Sequence, residues 1–317
     1  MKILLTGSAG FIGFHLTKSL LDDNHKILGI DNINDYYDVK LKKDRLNQLK
    51  NYDNFIFKKI DLTEKELLAK EFASFCPQIV VNLAAQAGVA YSMSNPYAYL
   101  ESNLVGFMNI IECCRNYQVE GLIYASSSSV YGLNTKLPFS INDRVDKPIA
   151  LYGATKRSNE LIAHSYSHLY ELNTTGLRYF TVYGPWYRPD MAMFIFINNI
   201  INGKKINLYN NGDIYRDFTY IDDIVNGTKQ AINKNYNCEI FNLGNNKKEK
   251  LSYIIELIEN ELNLNAIILN KGIKKGDMLE TFADITASEH KLNYSPEINI
   301  EVGIPKLIKW FKEYYKC

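Results

Sequence analysis

The stretch Lys2-Ile3-Leu4-Leu5-Thr6-Gly7-Ser8-Ala9-Gly10-Phe11-Ile12-Gly13 decides how this chain folds. Lys2–Thr6 reads as a short apolar strand, the glycines follow at once, and residues 14–23 continue with helical periodicity. A Gly-x-x-Gly-x-x-Gly run between a strand and a helix has a physical division of labour. Gly7 makes the tight turn, Gly10 lets backbone approach a pyrophosphate, and Gly13 allows the helix to pack closely on its strand. The helix N-terminus that follows supplies unpaired N–H groups and a positive dipole end, which suit a diphosphate. Residues 27–31, Ile-Leu-Gly-Ile-Asp, form a second strand. It ends in an acid about 20 residues on, where a ribose diol is gripped. An acid at Asp31 repels a 2′-phosphate, so the pattern favours NAD over NADP.

Beyond Asp31, residues 32–51 are polar and read as a loop carrying Tyr36 and Tyr37, then a short helix over 39–50. A third strand covers 55–57, with Asp61 and Leu62 in the loop on the expected adenine side. An amphipathic helix over 64–75 is closed by Pro77. Residues 78–83 are a fourth strand built on an apolar run, as in a parallel sheet buried on both faces. Its small-residue exit, Ala84-Ala85-Gln86-Ala87-Gly88, can pass close to a ligand. A long helix over 96–117, a fifth strand over 122–125, a helix over 152–170 and a sixth strand, Thr174–Tyr179, complete the alternation. Such alternation predicts an α/β fold, a doubly wound parallel sheet of Rossmann type whose ligands sit at the carboxyl ends of the strands.

After Thr181 the composition shifts toward aromatics, Asn and Pro, and a smaller C-terminal α/β substrate-binding domain is expected. Helices are expected over 191–202, 222–233, 251–262 and 302–315, strands over 206–209 and 240–243, and a hairpin turn at Asn210-Asn211-Gly212-Asp213. The predicted division is 1–180 plus about 218–245 for the dinucleotide domain, and 181–217 plus 246–317 for the second. The Lys247-Lys248-Glu249-Lys250 run reads as a solvated loop.

Charge is nearly balanced, at 36 basic against 35 acidic residues, without a basic stripe, so nucleic acid is not an expected partner. The five cysteines, Cys76, Cys113, Cys114, Cys238 and Cys317, show no C-x-x-C spacing. With no signal peptide, they point to a reduced, cytoplasmic protein without a structural metal. No apolar run reaches the roughly 18 residues a membrane span needs. The chain opens on its first strand, so no N-terminal anchor is expected.

Tyr152-Gly153-Ala154-Thr155-Lys156 sets a phenol and an ammonium on one helix face, about 6 Å apart along the axis. An unperturbed Tyr titrates near pH 10. One charge about 4 Å away, at an effective dielectric of about 20, is worth roughly 4 kcal/mol, on the order of three pK units. A phenol so placed becomes a base near neutral pH. On an arbitrary helix the same spacing is a surface tyrosine beside a solvated lysine, so the dyad gains its meaning from its neighbours: the serine cluster Ser126-Ser127-Ser128-Ser129 after the fifth strand, and the nucleotide turn.

In order and spacing these features resemble the extended short-chain dehydrogenase/reductases, and within them the nucleotide-sugar epimerases, the glucuronate-type 4-epimerases most of all. The resemblance runs nearly end to end. It rests on 84–89 (AAQAGV), 95–99 (NPYAY), 102–107 (SNLVGF) and 124–132 (YASSSSVYG). It continues through 184–186 (GPW), 188–192 (RPDMA), 216–223 (RDFTYIDD) and Gly276-Asp277. It implies NAD as a cofactor bound throughout. Tyr152 as phenolate takes the 4-hydroxyl proton while C4 passes hydride to NAD, Lys156 holds the nicotinamide ribose and lowers the Tyr152 pKa, and Ser127 hydrogen-bonds the 4-oxygen. The 4-ketone then turns over and hydride returns to the other face.

Carried over residue by residue, the resemblance assigns the cofactor to Gly7, Gly10, Phe11, Ile12, Gly13, Asp31, Asn32, Asp61, Leu62, Leu83, Ala84, Ala85, Gln86, Asn103, Tyr152, Lys156 and Tyr179. It assigns a UDP-sugar to Gly88, Ser127, Ser128, Ser129, Thr181, Arg188, Met193, Phe194, Asn207, Leu208, Tyr209, Arg216 and Asp277. Among these, Arg216 matches a diphosphate ligand, the 207–209 strand flanks uracil, and Asp277 is an acid near the nucleotide. The related 4,6-dehydratases have an Asp-Glu pair where this chain has Ser128 and Ser129, and the decarboxylases have a Glu before Val-Tyr-Gly. Dehydration and assisted decarboxylation therefore lack their acid here.

Arg188 has the fork geometry for a hexuronate carboxylate, and the alternative is a structural pair with Asp190 or a neighbour. Tyr187 stands where glycine is usual in the glucuronate epimerases, and Lys274-Lys275 where a neutral pair is more frequent. A homodimer through the 96–117 and 152–170 helices is implied by the family. The alternatives to a uronate epimerase are a 4-epimerase of UDP-glucose or UDP-N-acetylglucosamine and a non-catalytic NAD-binding regulator.

Overall fold

The computed structural model describes residues 1–272 and 278–317; Asp277, Gly276 and Lys274-Lys275 lie outside the described residues. The strands are β1 (Lys2–Thr6), β2 (Lys26–Asp31), β3 (Phe55–Lys59), β4 (Ile79–Asn82), β5 (Gly121–Ser127), β6 (Thr174–Tyr179), β7 (Thr181–Tyr183), β8 (Lys205–Tyr209), β9 (Tyr215–Tyr220), β10 (Cys238–Leu243), β11 (Lys248–Lys250) and β12 (Ile267–Lys271). Helices interleave them: α1 (Phe11–Asp22), α2 (Val39–Leu49), α3 (Lys65–Phe75), α4 (Val89–Ser94), α5 (Pro96–Tyr99), α6 (Gly106–Asn116), α7 (Leu151–Tyr170), α8 (Ala192–Ile201), α9 (Ile221–Lys234), α10 (Leu251–Leu262), α11 (Thr286–Leu292) and α12 (Ile300–Tyr315).

Seven strands form one parallel sheet in the order β3-β2-β1-β4-β5-β6-β10. This is the doubly wound Rossmann arrangement that the alternation predicts. The order reverses between β1 and β4, and a crevice for ligand opens where neighbouring connections leave in opposite directions. Side-chain alternation along each strand feeds two cores. Ile3 and Leu5 join Phe14, Leu16 and Leu20 of α1 on one face, whereas Leu4 joins Leu68 and Phe72 of α3 and Ile110 of α6 on the other. Both faces are covered, which is why β4 is buried at every position.

Two smaller sheets lie outside the main one. One has the order β11-β9-β7, and the other pairs β12 with β8 in parallel. The hairpin expected at 210–213 is corrected here. Asn211 (φ 52°) and Gly212 (φ 76°) do adopt the left-handed region that such a turn needs, but they form a single 3₁₀ turn. The chain leaves that turn into β9, in a different sheet, so β8 finds its partner in β12.

The single helix expected over 96–117 is also more articulated. Asn95 caps α5 with its side chain, Pro96 takes the first turn, and residues Leu100–Val105 form a π-helical segment before α6. That segment holds Asn103, whose carbonyl oxygen accepts from Asn159 Nδ2 at 2.7 Å. No helix among the described residues is long and apolar enough to cross a membrane.

Candidate active site

A cavity of about 420 Å³ runs along the carboxyl ends of β1, β2, β4, β5 and β6. At its cofactor end the glycine turn is built as its spacing predicts. Gly7 has φ +76° and a Cβ there would meet the Ala84 amide nitrogen at 2.8 Å, while a Cβ on Gly13 would lie 2.0 Å from the Gly7 carbonyl oxygen. α1 starts at Phe11 with no side-chain cap, so its first-turn N–H groups are left for a ligand.

Asp31 is half-buried at the end of β2, accepts from Ile33 N at 2.8 Å and Ala9 N at 3.1 Å, and is pushed above the usual carboxylate range by desolvation. A carboxylate has about four acceptor sites, so two amides leave room for a ribose diol. Asn32 donates to Asp61 at 2.6 Å, joining the ends of β2 and β3. A dinucleotide fits these residues: a glycine cradle that side chains would fill, an uncapped helix start and a half-buried acid on one wall.

The chemistry-bearing groups come from two elements. Ser127 ends β5 and accepts from the Ser129 amide at 3.2 Å, and Tyr152 and Lys156 project from the first two turns of α7. All three line the cavity. Burial pushes the Tyr152 phenol up; the hydrogen bond with Ser127 and the nearby Arg188 charge pull it back. The lowering expected from Lys156 is not among these influences. Lys156 instead donates to the Ala125 carbonyl at 2.7 Å, and its own pKa falls from 10.5 to about 8 because it is desolvated. The buried Tyr99 packs edge-on to Tyr152, ring centroids 6.1 Å apart, and donates to the Gly88 carbonyl.

Most of the residues singled out from sequence converge here: Gly7, Gly10, Phe11, Ile12, Gly13, Asp31, Asn32, Asp61, Leu62, Leu83, Ala84, Ala85, Gln86 and Tyr179, with Gly88, Ser127, Ser128, Ser129, Thr181, Arg188 and Arg216. Others stand back from the wall. Asn103 is buried and brackets the Gln86 backbone, accepting from its N–H at 2.8 Å and donating to its carbonyl at 3.0 Å. Met193 and Phe194 are buried in the hydrophobic core of α8. Asn207, Leu208 and Tyr209 sit in β8 and are not among the lining residues.

Sequence reasoning did not single out Asn34, Lys42, Met278 or Thr281, and it quoted Ser102 and Met191 within motifs without giving them a role; all six line the cavity. Lys42, on α2, donates to the Asn34 carbonyl at 2.7 Å and is lowered to about 8 by burial. The pattern Asn34-x7-Lys42 on a loop and helix directly after the acid was the available signal.

Arg188 meets Asp190 in a forked pair, Nε at 3.0 Å from one carboxylate oxygen and Nη2 on the other. Tyr187 is buried with its ring 5.1 Å from that of Phe11, so a residue of the 184–190 loop rests on the start of α1. The same loop is anchored by its backbone. Trp186 has φ +61°, Arg45 Nη2 donates to its carbonyl while Arg45 Nη1 donates to that of Ala9 at 2.9 Å, and His15 donates to the Pro185 carbonyl at 2.9 Å. Burial holds His15 down at about 4, so it serves as a neutral donor.

Residues 3–244 match the NAD dependent epimerase/dehydratase family. Over 333 residues the chain is 42% identical to UDP-glucuronate 4-epimerase 4 of Arabidopsis thaliana, covering 99% of this chain and 76% of that protein. The structure of UDP-glucuronic acid 4-epimerase from Bacillus cereus, solved with UDP-glucuronic acid and NAD, superposes with a TM-score of 0.94 at 32% identity, over 99% of this chain and 100% of that one. UDP-glucose 4-epimerase from Thermotoga maritima, solved with UDP-glucose, gives a TM-score of 0.91 at 29% identity over 99% and 100%. Sequence, sheet order and cavity agree, and the chain belongs to the NAD dependent epimerase/dehydratase family, within its nucleotide-sugar epimerases.

Proposed function

We propose that the protein is a UDP-glucuronate 4-epimerase, inverting C4 of the UDP-bound sugar to give UDP-galacturonate. The observation that carries this reading is Arg188, a forked cation on the wall of the cavity that holds Tyr152, Lys156 and Ser127. Bound NAD supplies a hydride acceptor and donor. Tyr152 takes the proton from the 4-hydroxyl and later returns one to the 4-oxygen, with Ser127 hydrogen-bonded to the phenol so that the same oxygen is held throughout. Lys156, with an ammonium already desolvated, holds the cofactor ribose and favours the phenolate once a ligand reorders its hydrogen bonds. Ser128 and Ser129 offer no carboxylate for elimination at C5 and C6. Arg188 holds the C6 carboxylate against loss of CO₂ from the 4-keto state.

Arg216 on the cavity wall is assigned to the diphosphate. The sheet of β1–β6 and β10 with its helices forms the cofactor half, and segments 181–217 and 246–317 the sugar half. A second copy is proposed to cover Tyr97, Val105, Leu161 and Leu169, which are exposed on the 96–117 and 152–170 stretches.

A second reading has its own support. Because Asp190 neutralises Arg188, the sugar pocket as it stands also suits an uncharged hexose, so UDP-glucose is the competing substrate. The test is proton NMR of the purified protein with UDP-glucuronate, UDP-glucose and UDP-N-acetylglucosamine in parallel. The axial 4-hydroxyl product is expected from UDP-glucuronate at the highest kcat/KM. Preferred turnover of a neutral sugar, or no loss of UDP-glucuronate turnover in Arg188→Ala, overturns the assignment.

A further inference from the structure

The forked pair between Arg188 and Asp190 has the geometry that a substrate carboxylate would need. Arg188 Nε lies 3.0 Å from Asp190 Oδ1 and Nη2 bonds Oδ2, so both arms of the guanidinium are used by one acid two residues away. Arg188 lines the cavity, and among the described residues Asp190 is not part of its wall. Asp190 has a second donor, since the Tyr36 hydroxyl donates to its Oδ2 at 3.3 Å. Tyr36 itself lines the cavity, and its phenol is pushed up to about 12 by burial and the Asp190 charge, which keeps it a donor. Asp190 also sits two residues before α8, whose first amides have no side-chain cap and attract a negative charge.

From these contacts we infer that Asp190 is a built-in stand-in for the substrate carboxylate: it occupies the Arg188 fork when no uronate is bound and exchanges to Tyr36 and the start of α8 when one enters. The inference rests on the reading of Arg188 as the uronate-binding group. It makes Asp190 a positioning and selectivity residue that touches the sugar only through Arg188. Displacing an internal acid lowers the affinity for the uronate, in return for a cation that is never left bare. A neutral hexose leaves the pair closed, so the exchange weighs on one class of sugar only.

Calorimetric dissociation constants of the NAD-saturated protein for UDP-glucuronate and UDP-glucose test this, in the unaltered chain and in Asp190→Asn, Asp190→Ala and Arg188→Ala. Removing the competitor is expected to tighten UDP-glucuronate about fivefold in both Asp190 variants, the order of a partly exposed ion pair. UDP-glucose should stay within twofold of the unaltered chain on the same affinity scale. A structural clamp would behave oppositely, with UDP-glucuronate weakened or both ligands changed alike, and either result overturns the inference. Arg188→Ala separates the layers. If it leaves the preference between the two ligands unchanged, the uronate reading and this inference fall together. If it removes the preference while the Asp190 variants do not tighten UDP-glucuronate, only the inference falls.

Discussion

Lys156 Nζ and the Ala125 carbonyl oxygen lie 2.7 Å apart, so the helix that carries the dyad is pinned to β5 two residues before Ser127. The ammonium is desolvated there, which lowers its pKa from 10.5 to about 8. A lysine whose folded pKa is depressed destabilises the fold in its charged form. The penalty is full below about pH 8 and is relieved as pH rises toward 10.5. The drop corresponds to roughly 3 kcal/mol, against about 1.5–3 kcal/mol for the lost hydrogen bond of a charged donor, so the net gain on removing the ammonium is small. Lys156→Met should therefore raise the Tm of the ligand-free protein slightly at pH 7, and the gain should shrink toward pH 10, while epimerase activity disappears. A Tm that falls at pH 7 contradicts the account.

Ser127 bears on the pH profile. Its hydrogen bond holds the Tyr152 phenol down against burial, so Ser127→Ala lets that pKa rise. A base with a higher pKa is ionised only at higher pH, and the acidic limb of kcat/KM should move up in pH. The rate at neutral pH should drop by about 10²-fold, as for the loss of one donor to a developing oxyanion. Ser127→Thr keeps the hydroxyl and should restore both. An unmoved limb in the alanine variant would separate Ser127 from Tyr152.

Asp31 already accepts two backbone amides, so Asp31→Ala removes a charge and two hydrogen bonds from the turn at once. The affinity for NAD should fall by at least about tenfold, since charged hydrogen bonds are worth about 1.5–3 kcal/mol. Binding of NADP, no longer repelled, should fall by less. Titrations of the cofactor-free protein with both nucleotides give the ratio, and an unchanged ratio removes Asp31 from cofactor selection.

Asp217 is buried and accepts from Asn245 N at 2.6 Å, Ala283 N at 3.1 Å and the Thr219 hydroxyl at 3.1 Å. It ties β9 to the loop after β10 and to the segment carrying Thr281. Asp217→Ala leaves two buried amides without an acceptor and should cost about 3 kcal/mol in urea unfolding, well above a surface substitution.

What the sequence made legible was local in origin. Gly7, Gly10 and Gly13 announce themselves by spacing, Asp31 by its distance from them, and Tyr152 with Lys156 by the turn of a helix. Groups brought in by tertiary packing were less readable. Lys42 and Asn34 belong to a polar stretch with no strong period, and the packing of α2 against α1, with the Lys42–Asn34 hydrogen bonds, is what brings them to the cavity. Asn207, Leu208 and Tyr209 have the alternation of a strand, but alternation does not say which strand is the neighbour, and β8 pairs with the distant β12 instead of folding back as a hairpin. Asn103 carries no mark distinguishing a ligand contact from a brace. The π-helical segment turns its side chain to the Gln86 backbone, a contact that no local pattern announces.

Arg45 is fully buried, with one arm on the Ala9 carbonyl of the glycine turn and the other on the Trp186 carbonyl two residues before Arg188. Its Nε has no acceptor among the described residues, so the guanidinium is committed to these backbone sites and the Tyr37 hydroxyl. Loop 184–190 is thus not a detachable module. On the role proposed for this loop in the sugar pocket, a graft of 184–190 that omits position 45 leaves behind the strut that ties it to the glycine turn, and is expected to transfer sequence without transferring preference.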